Sequence, residues 1–192
     1  MFERKDRFYK QAKKEGHASR AIYKLLEIQK KYRMIRSGNR VLEMGAAPGG
    51  WLPQIAEWVG PKGHVFAIDL LPLKILLPTN ATFFQTDFET MREHLPPQKF
   101  DTILSDISPN LSGIRFRDTH LSLEIAKNIF SFCPEWLCRG GNLVLKTFPS
   151  EETQELRKEL KQNFGEFKTL IPEATRKESS EVYFIALGYK NG

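Results

Sequence analysis

The sequence predicts an α/β fold, in which helices cover both faces of a mostly parallel sheet. From residue 40 onward, short apolar segments with the length of strands alternate with segments that have the apolar spacing of helices. This alternation is typical of a parallel sheet whose strands are joined by helical crossovers. The last two predicted strands, 167–171 and 181–188, follow each other without a helix between them. They indicate a terminal hairpin and therefore one antiparallel strand.

The composition predicts one soluble domain. A chain of 192 residues can build one real core but not two, and 41% hydrophobic and 27% charged residues are ordinary values for a globular protein. No apolar run has the length of a membrane span, and the first residues lack the apolar stretch of a signal peptide. Cys133 and Cys138 fall in one predicted helix without metal-ligand spacing, and we expect them to be reduced and buried. We therefore expect a cytoplasmic monomer that does not bind membranes.

The positive charge is concentrated at the N-terminus. Residues 1–36 contain 12 Lys and Arg against 4 Asp and Glu, whereas the rest of the chain contains 17 against 19. This predicts a basic arm and helix over 1–36 and a near-neutral main domain over 37–192. Such a distribution is typical of proteins that bind polyanions, although a solvated tail is the simpler alternative. Phe8 and Tyr9 lie among these charges, where they either stack on unpaired bases or dock on the body.

Within this arm, residues 1–16 are predicted to be flexible and a helix is predicted from Ser19, a suitable N-cap, to Tyr32. Lys24 projects away from the predicted apolar stripe of this helix, so local reasoning places it in solvent. The stripe follows three- and four-residue spacing through Ala18, Ala21, Ile22, Leu25 and Leu26.

The remaining elements follow from apolar periodicity and from turn residues. Strands are predicted at 40–44, 64–69, 82–86, 100–105 and 142–147. Helices are predicted at 49–59, at 89–94, at 119–137 with an interruption at Pro134, and after Ser150 with a stripe of Leu156, Leu160 and Phe164.

A turn of small residues, Gly45-Ala46-Ala47-Pro48-Gly49-Gly50, follows the first of these strands and precedes Trp51 and a helix. Small residues allow the backbone to approach a ligand closely, and the N–H groups of the following helix face that ligand. Ala47 stands where a dinucleotide fingerprint needs glycine, and Asp69 lies roughly 20 residues further on, where an acid binds ribose hydroxyls. The pattern favours an adenosine-type ligand without a pyrophosphate; the alternative is that the glycines only shape a tight turn.

Four predicted strands end on charged side chains: Asp69, Asp87, Asp106 and Lys146. These ends meet at one edge of an open α/β sheet, where ligands bind. A lysine that ends a buried strand sits in a medium that disfavours the ammonium form, and a neutral lysine is a usable general base. The alternatives are that Lys146 extends to water and that Asp106 only caps its own loop.

Glu181 opens the last predicted strand, and by local reasoning it is a surface acid.

The sequence does not support other kinds of catalysis. No serine elbow or phosphate-binding P-loop is present, which argues against hydrolases and nucleotide triphosphatases. None of the histidines is spaced as a ligand pair, so no metal is expected; they are His17, His64, His94 and His120.

Five segments, in order and over nearly the whole chain, resemble the FtsJ/RrmJ-like RNA ribose 2′-O-methyltransferases. They are Ser19–Leu25, Gly45–Trp51, Ser105–Asn110, Leu145–Phe148 and Ser180–Tyr183. The resemblance implies a Rossmann-like S-adenosylmethionine-dependent methyltransferase fold with a seven-stranded sheet and an antiparallel last strand. Glu43-Met44-Gly45 departs from the usual Asp-Leu-Gly, and Arg139 replaces the common Pro before Gly140-Gly141.

The resemblance also implies a site. The catalytic positions that it matches are Lys24, Asp106, Lys146 and Glu181, which replaces the local interpretation of Lys24 and Glu181 as surface residues. The positions that it implies for S-adenosyl-L-methionine are Gly45, Pro48, Gly49, Gly50, Trp51, Asp69, Asp87 and Asp106.

The function implied is methyl transfer from S-adenosylmethionine to a ribose 2′-hydroxyl of RNA, which the basic arm would bind. A uridine of large-subunit ribosomal RNA is the first choice of target, because the compact chain resembles the bacterial and organellar members. The anticodon loop of transfer RNA is the second choice. Since a fold does not fix a substrate, two different functions are compatible with the same fold: methylation of a protein or small molecule, and RNA binding without catalysis.

Overall fold

The computed structural model describes residues 7–176 and 179–191, and seven strands lie in this part of the chain. The strands are β1 (Arg40–Met44), β2 (His64–Asp69), β3 (Ala81–Gln85), β4 (Phe100–Ser105), β5 (Leu137–Thr147), β6 (Phe164–Leu170) and β7 (Val182–Tyr189). The helices are α1 (Arg7–Lys14), α2 (Ile22–Tyr32), α3 (Leu52–Val59), α4 (Arg115–Ser131), α5 (Cys133–Trp136) and α6 (Thr153–Asn163). Within the described ranges, no helix is both long and apolar enough to cross a bilayer.

The strands form one sheet in the order β3-β2-β1-β4-β5-β7-β6. Neighbouring strands from β3 to β5 are parallel, and β7 lies antiparallel between β5 and β6. The structure therefore confirms the predicted α/β fold, the seven-stranded sheet and its antiparallel last strand. Because β7 runs opposite to the other strands, its first residues lie at the edge where the parallel strands end.

Side chains alternate between the two faces of the sheet, so that each face has its own core. On one face, Val144 and Ile185 pack with α2 and α3. On the other face, Leu143 and Phe184 pack with α4, α5 and α6. The predicted placement of helices on both faces is confirmed. The face covered by α2 and α3 also carries the functional side chains described below.

The structure corrects several predicted boundaries. The prediction that residues 1–16 are flexible is wrong for α1, because Ala12 is buried and the ring centroids of Phe8 and Tyr23 are 5.4 Å apart; residues 1–6 lie outside the described part. Phe8 therefore docks on the body, whereas Tyr9 is exposed. Phe164 is the first residue of β6 and not part of the preceding helix.

The predicted helix over 119–137 is two helices. Helix α4 begins four residues earlier, at Arg115, and ends at Ser131, and α5 follows from Cys133. Pro134 occupies the first turn of α5, where proline needs no backbone N–H, so it starts a helix instead of kinking one. Cys138 consequently lies in β5 and is half-buried, whereas Cys133 is buried; both are free thiols.

One further helix and three strands also differ from the prediction. The helix predicted over 89–94 is a single 3₁₀ turn, Met91–Glu93, which buries Met91. Strands β3, β5 and β6 begin one, five and three residues earlier than predicted. These shifts lie at element ends, where the apolar spacing of a helix or strand fades into that of a turn.

Candidate active site

The innermost feature of the site is an ion pair between the ends of two neighbouring strands. Lys146 Nζ lies 3.1 Å from Asp106 Oδ1 and donates a hydrogen bond to the Asp106 carbonyl oxygen at 2.5 Å. The parallel pairing of Ser105 with Leu145 fixes this geometry, since Asp106 directly follows β4 and Lys146 is the next residue of β5. The Lys146 side chain is 8% exposed. We refer to Lys146 and Asp106 as the inner pair.

Tyr183 supports the inner pair from the other side of β5. It is the cross-strand partner of Lys146 in the β5–β7 ladder, and its hydroxyl donates a hydrogen bond to Asp106 Oδ1 at 2.5 Å. Burial raises the pKa of Tyr183 well above its usual value, and the Asp106 and Glu181 carboxylates raise it further. The phenol therefore remains a donor over the whole physiological pH range. Tyr183 is not among the predicted site residues; its place two residues after Glu181 is the signal that the sequence offers.

A second ion pair joins α2 to the chain just before β7. Lys24 Nζ lies 2.5 Å from Glu181 Oε1, and the two side chains are only 10% and 12% exposed. The Lys24 ammonium group is also 5.6 Å from the centroid of the Tyr183 ring, so Tyr183 contacts both pairs. We refer to Lys24 and Glu181 as the outer pair. All four positions matched by the resemblance are thus brought together at one edge of the sheet.

The local interpretation of Lys24 and Glu181 as surface residues is wrong. The buried face of α2 passes through Ile28, which the predicted stripe omitted, and includes Lys24; Leu26, which the stripe included, is only half-buried. Glu181 shares a strand face with Tyr183 because side chains two residues apart point the same way. Neither burial is visible from local sequence, because each depends on the partner supplied by a distant segment.

The turn of small residues after β1 has the close backbone approach that its sequence predicts. Gly45 and Gly49 have φ of 84° and 106°, in the left-handed region that favours glycine. A Cβ atom at Gly45 would lie 2.9 Å from the Ile107 backbone nitrogen, so the turn and the loop after Asp106 are in contact. The Pro48 carbonyl accepts a hydrogen bond from the Lys74 N–H at 3.0 Å.

Two of the predicted cofactor-binding acids bind backbone N–H groups near this turn. Asp69 Oδ2 accepts a hydrogen bond from the Ala47 N–H, and Oδ1 accepts one from the Leu71 N–H, both at 2.8 Å. Asp87 follows β3 by two residues, and its Oδ1 accepts a hydrogen bond from the Glu89 N–H. Each carboxylate oxygen retains a second lone pair with which it can accept a further hydrogen bond.

Trp51 connects the turn to α2. Its buried indole donates a hydrogen bond from Nε1 to the Ala21 carbonyl at 2.7 Å, and its ring centroid is 6.2 Å from that of Tyr183. A Cβ atom at Gly50 would lie 2.9 Å from Ser19 Cβ. The end of the turn therefore packs directly on the segment that carries Lys24.

Glu43 is a buried acid between the turn and the inner pair. Its Oε2 atom has no hydrogen-bond partner among the described residues. Burial raises its pKa well above the usual value, and the negative charges of Asp106 and Asp69 raise it further. The negative charges of Asp69 and Asp106 thus act on the buried end of Glu43, and they favour a cationic ligand beside the turn. Across residues 7–176 and 179–191, no three acidic, histidine or cysteine side chains are placed to hold a metal ion.

An open cleft of about 760 Å³ lies on the other side of the outer pair. Its lining includes the outer pair, the aromatic ring of Phe148 and three arginines, Arg20, Arg115 and Arg176. Asp118 holds one wall: its carboxylate accepts hydrogen bonds from the Ser112 N–H and hydroxyl and from the Gly113 N–H. These bonds lower the pKa of Asp118. The cleft is basic, and the outer pair is the part of the amine–carboxylate cluster that lines it.

This sheet order, with a small-residue turn and an amine–carboxylate cluster at the same edge, defines a Rossmann-like methyltransferase domain. The family profile of the FtsJ-like methyltransferases matches residues 17–189. The chain belongs to that family.

Similar proteins agree over nearly the full length of the chain. A ribosomal RNA large subunit methyltransferase E from Archaeoglobus fulgidus is 42% identical over 196 residues, which cover 99% of each chain. Its counterpart from Nitratidesulfovibrio vulgaris is 36% identical and covers 97% of this chain and 94% of its own. A crystal structure from Plasmodium falciparum, described as a ribosomal RNA methyltransferase, superposes with a TM-score of 0.76 at 26% identity, covering 90% of this chain and 98% of that one.

Proposed function

We propose that this chain is an S-adenosylmethionine-dependent RNA methyltransferase that methylates a ribose 2′-hydroxyl, with a uridine of large-subunit ribosomal RNA as its target. The observation that carries the proposal is the convergence of two lysines and two acids, distant in sequence, at one edge of the sheet, where Lys24 and Glu181 also line a basic cleft. The relatives named as large-subunit ribosomal RNA methyltransferases support the choice of substrate.

The residues around the glycine turn suit the cofactor. S-adenosylmethionine, when bound, supplies a methyl group on a positively charged sulfur. The negative charges of Asp69 and Asp106 would attract that positive charge, and the same positive charge would favour ionisation of Glu43, whose Oε2 has no hydrogen-bond partner among the described residues. We assign the close backbone approach to Gly45, Pro48, Gly49 and Gly50, and further acceptors to Asp69 and Asp87. Trp51 would hold the turn against α2, because its indole N–H is bonded to Ala21.

Lys146 is the proposed general base. In its neutral form an amine has two N–H groups and one lone pair, and in this structure both oxygens of Asp106 that lie near Nζ can receive the two N–H groups. The lone pair then remains for the proton of the 2′-hydroxyl. Asp106 orients the amine, and Tyr183 in turn fixes Asp106. A positioned base of this kind contributes about 10²–10⁴-fold to a rate.

The outer pair positions the substrate in this proposal. Lys24 donates toward the ribose oxygen, and Glu181 holds Lys24 at the mouth of the cleft. The RNA backbone is drawn to the cleft by its arginines and by the basic segment 1–36, since neutralised phosphates dominate RNA affinity. The separation into this segment and a methyltransferase domain over 37–192 is part of the proposal.

The test uses the purified full chain, labelled S-adenosylmethionine and large-subunit ribosomal particles from cells that lack the protein. We expect the wild type to produce a 2′-O-methylated uridine, identified by nucleoside mass spectrometry. Lys146→Ala should reduce the rate by about 10²–10⁴-fold while calorimetry shows nearly unchanged cofactor binding. Lys62→Ala is the matched control, because Lys62 is an exposed lysine in the turn before β2, at the opposite edge of the sheet.

Two results would contradict the proposal. If Lys146→Ala methylates RNA at the wild-type rate, Lys146 is not the general base. Label that enters protein or small molecules, but no RNA, removes the substrate class.

A further inference from the structure

A second cleft continues the basic cleft along the start of α4. It has a volume of about 500 Å³ and shares Arg115 and Thr119 with the larger cleft. The rest of its lining consists of Phe116 and of the segment Pro149–Glu152. Pro149 is three residues after Lys146, so the second cleft opens close to the proposed base.

Phe116 is unusually exposed for an aromatic residue in a helix. It is 75% exposed, although α4 buries Leu123, Ala126 and Ile129 in the core. Leu111 and Ile114, in the loop before α4, are also largely exposed. Three large exposed apolar side chains within six residues of the chain, two of which line the clefts, indicate a binding surface more strongly than a single exposed residue does.

The two clefts differ in charge, so that the larger one suits the phosphate of a nucleotide and the smaller one suits its base. The larger cleft carries Arg20, Arg115 and Arg176, which suit phosphates. The smaller cleft carries Glu151 and Glu152 beside the Phe116 ring, and these acids disfavour phosphate. A neutral base, however, can stack on an aromatic ring and donate an N–H group, such as N3–H of uracil, to a carboxylate.

We propose that the second cleft binds the unpaired base of an RNA nucleotide next to the methylated ribose, with the base stacked on Phe116 and its phosphate on Arg115. The proposal rests on the RNA methyltransferase function proposed above and adds a recognition site to it. Among the described residues, Arg115 has no acidic partner within ion-pair distance, which leaves its guanidinium group available for the phosphate.

The first test measures binding of the full chain to a fluorescent, single-stranded, uridine-rich RNA oligonucleotide. Phe116→Ala should weaken binding roughly tenfold, as expected for the loss of one base–aromatic stack. Phe116→Trp should keep wild-type affinity, and Phe116→Leu should behave like Phe116→Ala, because leucine keeps the apolar bulk but not the ring. Leu121→Ala, a half-exposed position on the same helix outside both clefts, should leave affinity unchanged.

Two further measurements locate the contact. RNA that carries 5-iodouridine should form a photo-crosslink to Phe116 in the wild type, identified by peptide mass spectrometry. Arg115→Ala should lower the slope of log affinity against log salt by about one, the change expected for a single lost phosphate contact.

Each contrary outcome overturns the proposal. Unchanged RNA affinity of Phe116→Ala removes the base contact, and wild-type affinity of Phe116→Leu shows apolar docking without stacking. If Phe116→Ala binds oligonucleotide normally but loses methylation only on ribosomal particles, the patch binds a ribosomal protein instead. If the wild type methylates no RNA but the expected binding and crosslinking are observed, the proposed methyltransferase function is contradicted and the proposed base-binding site is still supported.

Discussion

The inner and outer ion pairs of the cluster are similar in chemistry but are held by different kinds of structure. Lys146 and Asp106 follow directly from hydrogen-bonded neighbours in the sheet, and Lys146 contacts both the carboxylate and the carbonyl of Asp106. Lys24 and Glu181 come from a helix and from the residue before β7, and a single contact joins them. The inner pair is therefore fixed by the sheet, whereas the outer pair depends on how α2 packs on it.

This difference suggests a division of labour. A base must be aligned closely with its proton, so it belongs on the rigid strands. A pair that meets the substrate at the mouth of the cleft can be held by a helix and a strand end.

The largest effects on the rate of methyl transfer are expected when the acid of each pair is replaced by its neutral amide. Asp106→Asn should lower the single-turnover rate of methyl transfer by about 10²–10³-fold, because Asp106 contacts Lys146, the proposed base, directly. Glu181→Gln should lower the rate by only about tenfold, since Lys24 retains its contact with the Tyr183 ring. Glu166→Gln, which neutralises the exposed partner of Lys168 on β6, is the control. A Glu181→Gln effect as large as that of Asp106→Asn would reverse the comparison.

Tyr183→Phe separates the two pairs, because it removes the hydroxyl bound to Asp106 and keeps the ring beside Lys24. We expect the free energy of unfolding to fall by about 1.5–3 kcal/mol, the usual contribution of a hydrogen bond to a charged group. Chemical denaturation measures this change. Tyr189→Phe is the control, since the Tyr189 hydroxyl makes no hydrogen bond within the described residues. Equal losses in both variants would show that the Tyr183 hydroxyl does not support the inner pair.

Glu43→Gln tests a feature of the inner pair that the outer pair lacks, namely a buried third carboxyl group. Because burial, Asp106 and Asp69 raise the pKa of Glu43 in the folded state, the unfolded chain releases this proton at lower pH than the folded protein does. The Glu43 contribution to stability is then complete below its ordinary pKa of 4.5 and is lost as the pH rises.

Without added cofactor, Glu43→Gln should therefore match the wild type in unfolding free energy below pH 4.5 and exceed it at pH 7. Denaturation across this pH range measures the difference, and Glu57→Gln, at an exposed acid of α3, should show no such gain. A Glu43→Gln protein that is less stable than the wild type at pH 7 would show that the buried carboxylate is stabilised, not strained.

The smallest effect is expected at Asp118, which lies outside both pairs but holds the loop that follows Asp106. Asp118→Asn removes the charged acceptor of the Ser112 and Gly113 N–H groups, so these amides should exchange hydrogen about five- to tenfold faster at neutral pH. Hydrogen-exchange mass spectrometry measures the protection. Because the pKa of Asp118 is lowered, its contribution is present above 3.8 and is lost as the pH falls through the lowered value. A difference between variant and wild type that persists in acid would have another origin.

The sheet and the inner pair could be predicted from sequence because their signals are local. Alternating apolar segments define the strands, and the residues that end parallel strands must lie together at one edge, which brings Asp106 to Lys146. The position of Asp69 beside the glycine turn could be predicted in the same way, because it depends only on the spacing between two neighbouring strands. The helix at α1 and the end of α4 were predicted less well, because tertiary packing and the position of Pro134 decide them.

The outer pair could not be predicted from the residues alone. The burial of Lys24 depends on Glu181, which is 157 positions away in the chain, and neither side chain lies in an apolar pattern of its own. Only the resemblance to the methyltransferase family indicated them. Tyr183 was missed for a related reason, since an aromatic residue in a buried strand resembles any core residue until its hydroxyl is seen to bind Asp106.

The placement of β7 has a consequence for both the sheet and the site. The edge strand β6 pairs only with β7, and β7 is made after both of the strands that it joins. Without β7, β6 would have no hydrogen-bonded neighbour among the described strands, and Glu181 and Tyr183 would be missing from the cluster. The same strand therefore completes both the sheet and the group of side chains at its edge.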